Sequence, residues 1–138
     1  MIKSVTIGEE IVVTTRNKIG ILADASVIMA NNGINIDALL GYEVGFTAKL
    51  LIMTSGNLRV LNDLRKKKYK SIKETEVVVV EINNKPGALK VVAAELKNNK
   101  IDVKYVYITS SSCGDSSRMV LQTSDNEKTM ALLSRFVT

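Results

Sequence analysis

The chain has 138 residues, enough for one ordinary domain or two very small ones. Apolar residues make up 46% and charged residues 24%, normal for a globular protein, but aromatics are only 4%, so any core must be aliphatic. Basic residues outnumber acidic ones 19 to 14, a net charge of +5, and there is no histidine. That absence removes Ser-His and Cys-His nucleophile pairs, His metal ligands and the commonest general base. The one cysteine, Cys113, sits among serines and glycine. It allows no intrachain disulfide, has no histidine to lower its pKa, and cannot by itself hold a structural zinc. Residues Met1 to Glu10 lack the apolar region of a secretory signal. The longest aliphatic runs, Val77 to Val80 and Leu50 to Met53, are far too short to span a bilayer. A cytoplasmic location without membrane contact is expected.

In chain order, residues 2–7 and 11–16 are rich in β-branched side chains and read as strands. Asn17-Lys18-Ile19-Gly20-Ile21-Leu22 reads as a turn into a helix over about 20–31, where Leu22, Ala25, Ile28 and Met29 recur at helical spacing. Asn31-Asn32-Gly33 ends it, with Gly33 at a left-handed cap. Strands follow over about 34–42 and 46–54, joined by a hairpin that holds Gly41 and Gly45. Asn57 is placed as the N-cap of a helix reaching Lys68. The basic run Arg65-Lys66-Lys67-Lys68-Tyr69-Lys70 fits a solvated helix end, where cations suit the dipole. Nucleic acid is disfavoured as a partner, because no helix-turn-helix, aromatic platform or zinc module accompanies the run.

The remainder repeats this pattern. At an offset of 67, Lys3-Ser4-Val5 aligns with Lys70-Ser71-Ile72, and Asn17 to Leu22 aligns with Asn84-Lys85-Pro86-Gly87-Ala88-Leu89. Asn31 to Ile36 aligns with Asn98-Asn99-Lys100-Ile101-Asp102-Val103 at the same offset. From Lys49 onward the offset is 69, so Lys49 to Asn57 matches Arg118 to Asn126, with two extra residues in the Ser-rich segment before Arg118. The second copy thus has strands over 77–82, 101–109 and 117–123, a helix in which Leu89, Val92, Ala93 and Leu96 recur, and a last helix capped by Asn126. Strand 69–75 closes the first copy. The second copy lacks its closing strand, and residues 2–7 align with 69–74. The expected architecture is therefore α+β: two ferredoxin-like βαββαβ units in tandem, helices on one face of each antiparallel sheet. The first unit spans 8–75. The second spans 76–138 and is completed by strand 2–7. The unbroken apolar run 77–80 predicts burial on both faces of that strand.

No catalytic constellation is visible: there is no phosphate loop, dinucleotide fingerprint or metal-ligand cluster. The strand-to-helix turns are the remaining candidates. Gly20 and Gly87 lack a Cβ, so a ligand can approach the backbone. The amides of Ile21, Leu22, Ala88 and Leu89 are first-turn donors, suited to a carboxylate. Asn17 and Asn84 offer side-chain hydrogen bonds. Asn35 and Asp102, opening the next strand, can meet an ammonium group. Those two ends match a free α-amino acid. On local pattern alone a plain turn with a helix cap is the favoured reading.

Asn84 to Leu89 followed by Asn98 to Val103, and the segment Asn31-Asn32-Gly33-Ile34-Asn35-Ile36, resemble the signature of the ACT domain, and the resemblance covers nearly the whole chain as two ACT units. ACT domains are small regulatory modules that bind amino acids, usually at interfaces between domains, and report to an enzyme. Carried over by position, the resemblance implies ligand contacts from Asn17, Ile19, Gly20, Ile21, Leu22 and Asn35, and from Asn84, Pro86, Gly87, Ala88, Leu89 and Asp102. Ile19 stands where the family has proline and Asp102 where it has asparagine, which puts the equivalence of the two sites in doubt. The expectation is a stand-alone regulatory protein rather than an enzyme, with an amino acid ligand, no cofactor and no metal, and a homodimer as its assembly. The alternative is a regulatory subunit that docks on a separate enzyme of amino-acid biosynthesis.

Overall fold

The computed structural model describes residues 1–69, 71–110 and 114–138; Lys70 and the segment Ser111, Ser112 and Cys113 lie outside the described residues. The elements run β1 (Ile2–Thr15), α1 (Ile21–Asn31), β2 (Ile36–Val44), β3 (Thr47–Thr54), α2 (Asn57–Lys66), β4 (Ile72–Asn83), α3 (Ala88–Asn98), β5 (Val103–Ser110), β6 (Ser116–Thr123) and α4 (Asn126–Ser134). The strands expected at 2–7 and 11–16 are one strand, and the strand expected at 69–75, of which Lys70 lies outside the described residues, starts at Ile72 and runs on into 77–82 as β4. Nothing at Gly8 or at Thr75-Glu76 forces a turn, and without a turn signal a β-rich chain stays extended.

The chain divides into two compact units, Glu9–Thr75 and Met1–Gly8 with Glu76–Thr138. Each is ferredoxin-like. In the first unit the strand order is β2-β3-β1-β4, using the second half of β1 and the start of β4. In the second it is β1-β4-β6-β5, using the first half of β1. The N-terminal strand therefore completes the second unit. Its start is held by two bonds, with the Asn83 amide donating to Met1 O at 2.9 Å and the Thr138 amide to Ile2 O at 3.1 Å.

Each unit packs two helices on one sheet face. In the first unit Ile11, Val13, Leu50 and Ile52 meet Ile21, Ala25 and Ile28 of α1 and Val60, Leu61 and Leu64 of α2. In the second, Val78, Val80, Ile82, Met119 and Leu121 meet Ala88, Val92 and Leu96 of α3 and Leu132 and Leu133 of α4. Val77 and Val78 are both fully buried, so β4 is covered on both faces there.

The repeat extends to hydrogen bonds. Thr54 donates to Asn57 Oδ1 through its amide at 3.1 Å and its hydroxyl at 2.6 Å, while Asn57 Nδ2 donates to Glu9 O at 3.0 Å. Thr123, Asn126 and Glu76 do the same in the second unit, at 3.1, 2.8 and 3.0 Å. Asn57 and Asn126 are thus not N-caps. Gly56 and Asp125 hold those positions, and the Asp125 side chain accepts from the Lys128 amide. The asparagines tie helix starts to strand ends because their carboxamides reach back rather than forward.

Three helices end in a Schellman motif. After α1, the Ile34 amide donates to Met29 O at 2.9 Å and the Gly33 amide to Ala30 O at 3.2 Å, with Gly33 at φ +63°. After α3, the Ile101 amide donates to Leu96 O at 3.0 Å and Lys100 takes the left-handed position at φ +56°. Lys68 does so after α2 at φ +69°. A lysine there bears the Cβ penalty that glycine avoids. Replacing Lys100 with glycine should raise the urea midpoint, worth up to about 1 kcal/mol. The same change at exposed Lys97, inside α3, should lower it by a similar amount.

Candidate functional site: two glycine turns and a cavity at the first

The first-unit turn is closed by its own residues. Asn17 Oδ1 accepts from the Gly20 amide at 3.1 Å, and the Ile21 amide donates to Asn17 O at 3.2 Å. Asn17 Nδ2 donates to Tyr69 Oη at 3.0 Å, and Tyr69 Oη donates to Asp24 Oδ2 at 2.6 Å. Lys67 Nζ stands 3.8 Å from Asp24 Oδ1. The Asn17 carboxamide is therefore committed at both ends. Gly20 has ordinary helical dihedrals, φ −90° and ψ −18°, so its backbone does not require glycine. A Cβ there would lie 2.6 Å from Asn17 Nδ2, so glycine makes room for this carboxamide.

The second-unit turn is built differently. Gly87 is left-handed, at φ +94°, and a Cβ added there would meet only Met1 Cε, at 3.5 Å. The Ala88 amide donates to Lys85 O at 3.3 Å. Ile21 and Ala88, expected to offer open amides, thus spend them on the turn's own carbonyls, because each turn coils before its helix begins. Their side chains point into the cores, at 4% and 2% exposure. Leu22 and Leu89 are half exposed, Ile19 almost wholly so, and Asn84 and Pro86 lie at the surface.

Asn35 and Asp102 are not at these turns within their own units. Each stands after the helix that the turn begins, and α1 and α3, at 11 residues, are roughly 16 Å long. Asp102 is tied locally, its amide donating to Ser124 Oγ at 3.1 Å and its carbonyl accepting from the Ser124 amide at 2.9 Å. What lies across from the first turn is the far end of β2. Lys18 of the turn forms an ion pair with Glu43 near the tip of the β2–β3 hairpin, and Lys18 Nζ also reaches Gly45 O at 3.4 Å.

Beneath this pair opens a cavity of about 380 Å³ with Ile21, Leu22, Leu39, Gly41, Ala48 and Leu50 in its lining. The register places Gly41 opposite Leu50 and Glu43 opposite Ala48, on the helix-facing side of the sheet. A strand-interior glycine marks close approach or missing volume, and Gly41 was open to that reading from sequence. Glu43 and Lys18 carried no such signal. A cavity of about 390 Å³ in the second unit lies beside α3 and is almost wholly apolar, with Leu89, Val92, Leu96, Val106 and Met119 among its walls. Among the described residues no group of three or more His, Cys, Asp or Glu could hold a metal ion, and no helix is long and apolar enough to cross a membrane.

No protein-family profile matches the sequence, and no curated protein does. Solved structures match over nearly the full chain. BT0572 from Bacteroides thetaiotaomicron superposes with a TM-score of 0.85 at 22% identity, over 95% of this chain and 89% of that one. The regulatory subunit of aspartate kinase from Thermus thermophilus, in its ligand-free form, has a TM-score of 0.65 at 13% identity, over 97% of both chains. Escherichia coli aspartokinase III, in complex with lysine and aspartate, has a TM-score of 0.57 at 16% identity, over 97% of this chain and 33% of that one.

Burial, and next its hydrogen bond to Asp24, raise the Tyr69 pKa above its ordinary value near 10. The folded chain then holds this proton more tightly than the unfolded chain, so the stability gained is complete below pH 10 and is lost as pH rises through the folded value. Tyr69→Phe should therefore unfold more easily at neutral pH, by about 1–3 kcal/mol for Asn17 and Asp24 left without their partner. It should also lose part of the fall in stability above pH 10. Urea midpoints from pH 7 to 11 measure both. At under a quarter identity these similarities establish the fold, which this chain shares with BT0572 and with regulatory subunits and domains of aspartate kinase.

Proposed function

We propose that this chain is a regulatory, ACT-like module that binds a free amino acid beside its strand-to-helix glycine turns and carries no reaction of its own. The observation that carries the reading is the first-unit turn. There a Gly-containing bend, a helix start and an oppositely charged side-chain pair converge on a cavity of small-molecule size, about 380 Å³. The proposed contacts remain Asn17, Ile19, Gly20, Ile21 and Leu22 of the first turn and Asn84, Pro86, Gly87, Ala88 and Leu89 of the second, with Asn35 and Asp102 able to serve only a ligand reached from outside their own turn. Asn17 acts through its backbone and by holding Gly20, since both ends of its carboxamide are bonded. The two-unit fold shared with aspartate kinase regulatory subunits supports the regulatory part of the reading.

A second reading has its own support. This chain and the Thermus thermophilus regulatory subunit cover 97% of each other. A protein of that extent can act as a subunit that docks on a separate enzyme of amino-acid metabolism, with the amino acid as its signal. Homodimerisation belongs to either reading and is a proposal of the same standing.

A thermal-shift screen of the twenty amino acids tests the function. A ligand at a hundred times its dissociation constant should stabilise the chain by about 2.7 kcal/mol, a rise of several degrees. Gly20→Val and Gly87→Val, each checked for folding by circular dichroism, then tell which turn matters: the shift should vanish in one and persist in the other. No shift with any amino acid would remove the proposal. Co-purification with a biosynthetic enzyme whose feedback inhibition changes on removal of this chain would favour the second reading.

A further inference from the structure

The geometry points to one unit and one ligand class: the first unit's cavity takes a neutral aliphatic α-amino acid, whose ammonium and carboxylate groups divide the Lys18–Glu43 ion pair between them. This inference rests on the amino-acid reading above and narrows it.

An α-amino acid carries a cation and an anion on a single carbon. Its complement is an anion and a cation side by side, and the mouth of this cavity offers that pair. Lys18 and Glu43 side chains keep 34% and 60% of their exposure. An ion pair so exposed contributes little to stability, so exchanging it for two pairs with a ligand costs the protein little. Lys18 then meets the carboxylate and Glu43 the ammonium, each a charge-assisted contact. Below the mouth the lining of Ile21, Leu22, Leu39, Ala48 and Leu50 offers an apolar floor. Tyr42 and Lys49 also border the cavity, but they alternate with Gly41, Glu43, Ala48 and Leu50 along their strands, so their side chains leave by the other face of the sheet. The floor therefore suits a hydrocarbon side chain and leaves a second ligand charge without a partner, which is costly wherever water is excluded.

The second unit shows what removes such a site. Its strand register is equivalent: Leu39 opposite Ile52 corresponds to Val106 opposite Leu121, and Gly41 opposite Leu50 to Ile108 opposite Met119. Lys85 matches Lys18, but Ile108 stands where Gly41 leaves space, and Ser110 replaces Glu43. At this place the second unit has a branched side chain instead of the glycine and no acid to meet an ammonium group. Its own cavity, lined by Leu89, Val92, Leu96 and Val103, has only Lys97 as a charged wall residue and presents no acid to an ammonium group.

Calorimetry on the full chain tests this with leucine, isoleucine and valine, with lysine and aspartate, and with isocaproate, the leucine skeleton without its amine. The wild-type chain should bind at least one aliphatic amino acid and bind lysine and aspartate more weakly. Gly41→Ile, which installs the second unit's residue, should weaken that binding at least about tenfold. Because a Cβ at Gly41 would meet Leu50 Cδ1 at 3.3 Å, its folding is checked by urea midpoint. The surface change Glu43→Gln gives an independent reading. It should weaken leucine by about tenfold while leaving isocaproate nearly unchanged, so that the two affinities converge. Lys18→Met should weaken both, and Gly87→Val should affect neither. Amino-acid binding that survives Gly41→Ile and Glu43→Gln but is lost in Gly87→Val would overturn this assignment and leave the regulatory function standing. Binding confined to lysine or aspartate would overturn the ligand class. If no amino acid binds at all, the function proposed above fails with it.

Discussion

Each unit is held by one interaction: two helices bury a stripe of aliphatic side chains against one face of a four-stranded sheet. Fully burying such a side chain contributes about 1.5–3 kcal/mol. In the first unit the strand positions Ile11, Val13, Leu50 and Ile52 and the helix positions Ala25, Ile28, Val60 and Leu64 are all 4% exposed or less. The chain has no tryptophan, and both its phenylalanines stand exposed, Phe46 at 84% and Phe136 at 40%. Aliphatic side chains therefore do most of the filling, with Tyr69, Met29 and Met119 beside them. They fill well in the middle of the layer, where rows from both sides interdigitate. At the end of the layer, beside the start of α1, nothing large reaches across. Gly41 brings no side chain, and the cavity stays open. The candidate site is the place where the core stops.

Comparing the units separates architecture from specialisation. The Thr-Asn clamps at Thr54 and Thr123, the Schellman ends after α1 and α3, and the register shifts in β2 and β5 recur in both. These features hold strand ends and helix ends together, and losing any of them costs stability in either unit. The differences cluster around the turns. Gly20 is helical and makes room for a carboxamide, whereas Gly87 is left-handed and open. Asp24 pairs with Tyr69 in the first unit, and Val91 stands at the matching position in the second. Gly41 and Glu43 have Ile108 and Ser110 as their counterparts in the repeat. The two halves agree in their architecture and differ in what surrounds the turn.

The Asn17 network shows how such a turn is held rigid. The amide of Gly20, the carboxamide of Asn17, the phenol of Tyr69 and the carboxylate of Asp24 form one chain of donors and acceptors. Each group is oriented by the next, so the turn keeps one conformation beside the cavity. Tyr69 is the keystone because its single hydroxyl both accepts, from Asn17, and donates, to Asp24. Its position follows from the Schellman end of α2, where the Tyr69 amide donates to Leu64 O at 3.3 Å. A helix end at one place in the sequence thereby sets a turn far from it.

The order of strands and helices, the internal repeat and its permuted closing strand were determined by the sequence alone. They rest on periodicity and on a constant offset, and both are local properties of a string. The length of β1 and β4 was not legible, because the absence of a turn is a weaker signal than its presence. The choice of Asn57 and Asn126 as caps failed for a related reason: a carboxamide can bond forward or back, and only the strand beside it decides. Tertiary structure decided which residues share a site. Strands alternate in direction around each helix, so Asn35, at the start of β2, is carried to the far end of α1, while Glu43, at its finish, returns to the turn. Asn17 looked free to meet a ligand until Tyr69, 52 positions away, took its amide. A pattern of residue types records what each can bond; only the fold brings the partner.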